Sequence, residues 1–315
     1  MPCGARATTE TLDMAIATVR ENCIGISDEM GHLKTMAGIN TAVTGVGMVA
    51  GGVAVGTGLA KVGVDKDAEN LEKELERLRD LAATQDVAEL SDIPMDGPIV
   101  ELDFDISTVP DDALTPVTQQ DIATAEAELA KLESKSKRLG NWRTGTLAVN
   151  TATNVAGTII AANNKVKGDL RDQINLCIMS VDALSRAYMQ ARLEPEADKT
   201  QLDYAQQIVT ICGAWAGVDI SAINSKAKGA TISSGIGSGV GLAGTIASAV
   251  ANTNATRQDN TAGGRQKEKN LNTAANIMAG GATVASGVAT VFNATQISAI
   301  KKAVAVADSC EGVFR

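Results

Sequence analysis

The chain alternates between two kinds of sequence. Four segments carry no charged residue: those between Lys34 and Lys61, Arg143 and Lys165, Lys228 and Arg257, and Lys269 and Lys301. They are built from Gly, Ala, Thr, Ser, Val and Ile, as in TAVTGVGMVAGGVAVGTGLA at 41–60. Around them run charged, helix-favouring stretches such as DAENLEKELERLRDL at 67–81 and TAEAELAKLESKSKRL at 124–139. Along and just beside these two, Leu71, Leu75, Leu78 and Ala82, and then Ile122, Ala125, Leu129 and Leu132, recur every three or four residues. That is the spacing of a coiled-coil seam.

Proline punctuates the pattern. The prolines sit at 2, 94, 98, 110, 116 and 195, leaving long stretches free of them. A proline inside a helix costs roughly 3 kcal/mol, so proline-free stretches permit long helices. Four prolines fall in an acidic loop, 85–118, which has no basic residue. Within it Val100, Leu102, Phe104 and Ile106 alternate with acidic residues. A period of two predicts a short strand with one apolar face, packed on its own protein or offered to a partner.

The order of elements repeats. Residues 1–195 read as an outer helix with Cys23, a charge-free segment, an enlarged tip, a second charge-free segment and an outer helix with Cys177. Residues 196–315 follow the same plan with Cys212 and Cys310 and a shorter tip. In an antiparallel hairpin, residues at one height share a midpoint. The pairs Cys23 with Cys177, Leu71 with Leu129, Leu75 with Ala125 and Leu78 with Ile122 all have their midpoint at residue 100, among the prolines. Cys212 and Cys310 have theirs at residue 261, in DNTAGG. The predicted fold is all-α: two repeated long antiparallel helical hairpins with Gly/Ala/Thr-rich middles and a coiled-coil tip in the first. Glycines at 25, 31 and 38, and at 213, 217 and 229, predict breaks near the cysteine ends.

Gly47 and Gly51, Gly52 and Gly56, and Gly237 and Gly241 are spaced by four, which bares backbone on one helix face and lets two helices approach. Two environments can repay so many helical glycines. One is a protein–protein core, which makes the chain a self-associating structural protein of the cell envelope; this is the leading expectation. The other is a bilayer, with the segments forming a channel-like or pore-forming bundle. Asn150, Asn154, Asn276, the many Thr and Ser, and the single Trp142 at a segment edge weigh against the bilayer at sequence level.

Composition narrows the chemistry. Aromatics are 2%, there is one His, and net charge is −9. This argues against ring-walled pockets, base stacking, two-histidine mechanisms and attraction to nucleic acid. Gly239, Gly241 and Gly244 spell G-x-G-x-x-G, but inside a small-residue segment without βα units. His32 near Asp28 and Glu29 reads as a surface residue, and Asp103, Asp105, Asp111 and Asp112 as a solvated loop without calcium-loop spacing. The expectation is no enzyme, cofactor, metal, nucleic acid or small-molecule substrate, and a homo-oligomer with membrane contact as an option.

The five cysteines contain no C-x-x-C. The hairpin register pairs Cys23 with Cys177 and Cys212 with Cys310, leaving Cys3 over; buried free thiols are the alternative. Disulfides place the protein in an extracytoplasmic envelope compartment or periplasm. Residues 1–20 show no continuous apolar stretch, so no signal peptide is visible, and a cytoplasmic location is the alternative. In outline the hairpins are similar to those of α-helical pore-forming toxins. Those carry their apolar stretch at a tip, whereas here the tips are charged, so no function is carried across.

Overall fold

A computed structural model describes residues 3–89, 117–195, 197–253 and 262–315. The elements are α1 (Cys3–Cys23), α2 (Ile26–Glu89), α3 (Gln119–Asn163), α4 (Gly168–Ala191), α5 (Lys199–Cys212), a 3-10 turn (Gly213–Gly217), α6 (Ile220–Ala251) and α7 (Ala262–Gly312). The described residues contain no strand; the protein is all-α, and its long helices form hairpins. The expected strand at Val100, Leu102, Phe104 and Ile106 lies outside the described residues, as do the proline fold-back and the first half of DNTAGG.

Helix ends follow local chemistry. Gly25 has φ 91°, the left-handed conformation that favours glycine, and separates α1 from α2. Gly31, Gly38 and Gly229 break nothing, contrary to the sequence expectation: they lie inside α2 and α6. A helical glycine costs only about 1 kcal/mol and keeps its backbone hydrogen bonds, so it ends a helix only where the chain must turn. Thr118 and Asp121 cap α3 reciprocally. The Thr118 N–H and hydroxyl donate to the Asp121 carboxylate at 2.9 and 2.7 Å, holding its pKa below the usual aspartate range. Asp198 caps α5 by accepting from the Thr200 N–H at 2.9 Å.

The chain divides into two compact units, which cut across the sequence halves 1–195 and 196–315. The first comprises 1–52, 146–245 and 277–315, and the second 53–145 and 246–276.

The apolar core of the first unit is formed by α1, α4, α5, the 3-10 turn and the adjoining ends of α2, α6 and α7. Leu12, Ile26, Met30, Ile174, Leu184, Ile208, Trp215 and Ile300 are all 2% exposed or less. Cys23 is bonded to Cys177 with Cα atoms 4.9 Å apart, and Cys212 to Cys310 at 4.7 Å. The sulfurs of Cys23, Cys177 and Cys310 lie within 4.8 Å of one another, so the two bonds are neighbours in one core. Glu311, beside Cys310, accepts from the Gly25 and Ser27 N–H groups at 3.0 Å each. Its carboxylate thereby satisfies orphan donors at the start of α2.

In the second unit, Leu75, Ile122 and Ala125 are buried, and Arg79 pairs with Glu126 at 2.7 Å. These residues belong to the charged arms of α2 and α3.

Non-reducing peptide mapping is expected to recover Cys23–Cys177 and Cys212–Cys310; a Cys177–Cys310 link would contradict the register. Replacing Cys212 and Cys310 together with Ser removes a crosslink spanning 98 residues. It is expected to lower stability by on the order of 4 kcal/mol, read as a lower unfolding midpoint.

Candidate functional site

The charge-free stretches of the long helices are built inside out. Buried positions recur every three or four residues. On α6 the stripe is Ile223, Ala227, Ala230, Ser234, Gly237, Gly241, Gly244, Ser248 and Ala251. On α2 it runs through Ala37, Asn40, Thr44, Gly47, Gly51, Ala54 and Gly58. A sequence this poor in large buried groups cannot drive helix association by burying them. It associates by close approach instead.

The closeness is measurable at the glycines. A Cβ placed on Gly47 would sit 2.5 Å from the Thr153 Oγ1, on Gly237 2.9 Å from the Asn154 amide, and on Gly241 2.7 Å from the Thr151 Oγ1. One on Gly51 would collide with Thr283. These four glycines therefore face neighbouring helices of the same chain. Gly52 and Gly56 differ: nothing lies within 4 Å of a Cβ built on either. Four further glycines were not singled out by spacing. Gly157 and Gly229 are covered by Thr44 and the Phe292 ring in the first unit, and Gly58 and Gly140 by Asn276 and Asn252 in the second.

Polar side chains complete the interior of the first unit. Asn154 Nδ2 donates to Asn150 Oδ1 at 2.7 Å and to Ser286 Oγ at 2.9 Å. Asn40 Nδ2 donates to Asn293 Oδ1 at 2.9 Å, and Thr290 Oγ1 to Thr44 Oγ1 at 3.1 Å. Gln296 Nε2 donates to the Asn164 carbonyl at 2.8 Å. Asn40 Oδ1, Asn150 Nδ2, Ser234 Oγ and Gln296 Oε1 are buried without a protein partner.

In the second unit the interior becomes ionic. Lys61, fully buried, pairs with Asp65 at 2.6 Å and Glu268 at 3.3 Å. Arg143, also fully buried, donates to Ser248 Oγ at 2.9 Å and Asn272 Oδ1 at 2.6 Å. From sequence, Lys61 and Arg143 were only segment borders. A buried charge survives when its donors are satisfied in this way.

The large aliphatic residues point outwards. In the first unit Val49 is 64% exposed on α2, Ile159 58% on α3, Ile236 57% on α6 and Val284 67% on α7. Others lie along the same helices, including Val46, Val149, Ile232 and Val291. Mean hydropathy over 18 residues reaches 1.6 within Thr11–Ala83 and 1.3 within both Lys199–Ala251 and Gly264–Gly312. Three stretches are thus long and apolar enough to cross a membrane.

The other sequence candidates do not gather into a site. Gly239, Gly241 and Gly244 lie within α6, and His32 is an exposed residue of α2. The acidic pairs at 103–105 and 111–112 lie outside the described residues. No protein-family model matches this chain, and no curated protein or solved structure shows significant similarity to it.

The glycine geometry makes a paired prediction. Gly241→Val should lower stability by about 1–3 kcal/mol through overpacking. Gly52→Ala should raise it by up to about 1 kcal/mol, because an open helical site gains only propensity. Thermal unfolding followed by circular dichroism measures both; equal effects at the two sites would contradict the packing.

Proposed function

We propose that this protein is a non-enzymatic, membrane-embedded structural component of the cell envelope. One observation carries the reading: large aliphatic side chains face outwards on all four long helices of the first unit, while buried positions of those helices hold Asn, Thr, Ser, Gly and Ala. A partner protein covers one face or two; a bilayer covers every face. Even the shortest charge-free segment, between Arg143 and Lys165, has about 20 residues, roughly the 30 Å of a hydrocarbon core. Polar residues in a membrane bundle turn to its interior and bond one another, as Asn150, Asn154 and Ser286 do here. Trp142, 61% exposed at a segment edge, suits an interface anchor.

On this reading the disulfide-locked core faces an oxidising compartment. The hairpins are two copies of one plan. Self-association is open through Gly52 and Gly56, the two spaced glycines left uncovered.

A second reading, a channel-like or pore-forming bundle acting as a conduit, draws on the four buried interior atoms without a protein partner. Water threading that seam would satisfy them.

Alkaline carbonate extraction of cells expressing the full chain separates the classes. The protein is expected to stay in the membrane pellet and to need detergent for purification. A large detergent-free species in the supernatant would instead support a soluble self-assembling scaffold. In liposomes, anion or cation flux above that of empty vesicles would favour the conduit.

A further inference from the structure

A cleft of about 600 Å³ opens in the first unit where the α3–α4 connection meets the start of α6. Three cations line it: Lys165 in the connection, Arg171 on α4 and Lys228 on α6. None of the three makes an ion pair with a described residue. This contrasts with Lys61, Arg79 and Arg265, each of which has an acidic partner. No carboxylate lines the cleft. The nearest in sequence to the start of α6, Asp219, is turned to its own helix: it accepts from the Ala222 N–H at 2.9 Å and the Ser221 hydroxyl at 2.8 Å. The cleft therefore concentrates positive charge that the chain leaves unanswered.

The cleft also has an apolar part. Val166 and Ile174 form a buried floor at 5% and 1% exposure, while Asn175 and Ser225 add hydrogen-bonding groups at the rim. The connection that carries Lys165 is held in place by Asn224. Its Oδ1 accepts from the Val166 N–H at 2.8 Å, and its Nδ2 donates to the Val166 carbonyl at 3.3 Å. The position of Lys165 relative to Lys228 is thus fixed by a two-way side-chain clamp.

We propose that this cleft binds a phosphate ester bearing an apolar group. Three cations recognise the phosphate by charge-assisted hydrogen bonds, and the Val166–Ile174 floor receives the apolar part. Two sources share this chemistry: the headgroup of an anionic phospholipid, and a soluble phosphate ester. Lys165 and Lys228 each border a charge-free segment. The lipid source therefore rests on the membrane reading above, and the soluble source does not.

The test uses the purified full chain. In one arm, the protein in detergent is exchanged into nanodiscs of phosphatidylcholine with phosphatidylglycerol, and co-purifying lipid is counted by native mass spectrometry. In the other, hexyl phosphate, a soluble phosphate ester with an apolar chain, is titrated calorimetrically. Wild type is expected to retain phosphatidylglycerol over phosphatidylcholine, with affinity falling roughly fivefold for each charge removed in Lys165→Gln, Arg171→Gln and Lys228→Gln. Lys301→Gln/Lys302→Gln, which removes two exposed cations outside the cleft, should leave retention unchanged. Arg171→Gln alone, at an exposed position, keeps the test valid if a variant combining Lys165→Gln, Arg171→Gln and Lys228→Gln misfolds.

Saturable titration by hexyl phosphate, lost in the Arg171 variant, without lipid preference would support the soluble source. It would do so even if the protein proved not to be membrane-embedded. Equal phosphatidylglycerol retention by wild type and the cleft variants, with no titration by hexyl phosphate, would overturn the proposal.

Discussion

The glycine-rich part of the first unit depends on one kind of contact: a short polar side chain laid over a glycine of the neighbouring helix. Asn154 covers Gly237, Thr151 covers Gly241 and Thr283 covers Gly51. The threonines can do this because their hydroxyls are already satisfied. Thr151 Oγ1 donates to the Leu147 carbonyl at 2.8 Å, and Thr283 Oγ1 to the Ala279 carbonyl at 2.7 Å. Each such contact removes the room a large side chain would need. The valines and isoleucines of the same helices are left on the outside, where exposure to water forfeits roughly 25 cal/mol for every Å² of apolar surface. An interior sealed by glycine and threonine therefore leaves an apolar exterior, and the membrane proposal rests on that exterior.

The cysteine-bearing end of the first unit obeys a different rule. There Trp215, Met30, Leu184 and Ile208 build an ordinary apolar core around the two disulfides. Glu311 ties the last turns of α7 to the first turn of α2 through two backbone N–H groups, one residue beyond Cys310. Covalent and electrostatic closure thus act at the same place. Loss of both bonds is expected to loosen the helix ends before it affects the glycine contacts, which rest on geometry within the bundle.

Much of this was legible in sequence. Proline-free stretches and the residue-100 midpoint reveal long hairpins, because an antiparallel pair must conserve height. The pairing of Cys23 with Cys177 and of Cys212 with Cys310 follows from the same arithmetic. Spacing of four pointed to Gly47, Gly51, Gly237 and Gly241, but could not tell them from Gly52 and Gly56, since which way a glycine faces depends on the whole three-four stripe. Gly58, Gly140, Gly157 and Gly229 escaped that search because none has a glycine four residues away. Breaks at Gly31, Gly38 and Gly229 were expected from propensity, which tertiary packing overrides. The cleft was hidden too: Lys165, Arg171 and Lys228 acquire a joint meaning only when the Asn224 clamp brings their segments together.

The central claim is that the outward aliphatic faces contact hydrocarbon. It is tested most directly by placing a fluorophore there. In a Trp142→Phe background, Ile236→Trp and Val284→Trp put indole on exposed faces of α6 and α7, while Trp215 stays buried in the apolar core. The protein reconstituted in vesicles of dibrominated phosphatidylcholine should show blue-shifted emission from both new tryptophans and strong bromine quenching. Emission at the wavelength of water-exposed indole, quenched by aqueous iodide and not by the brominated lipid, would contradict the account.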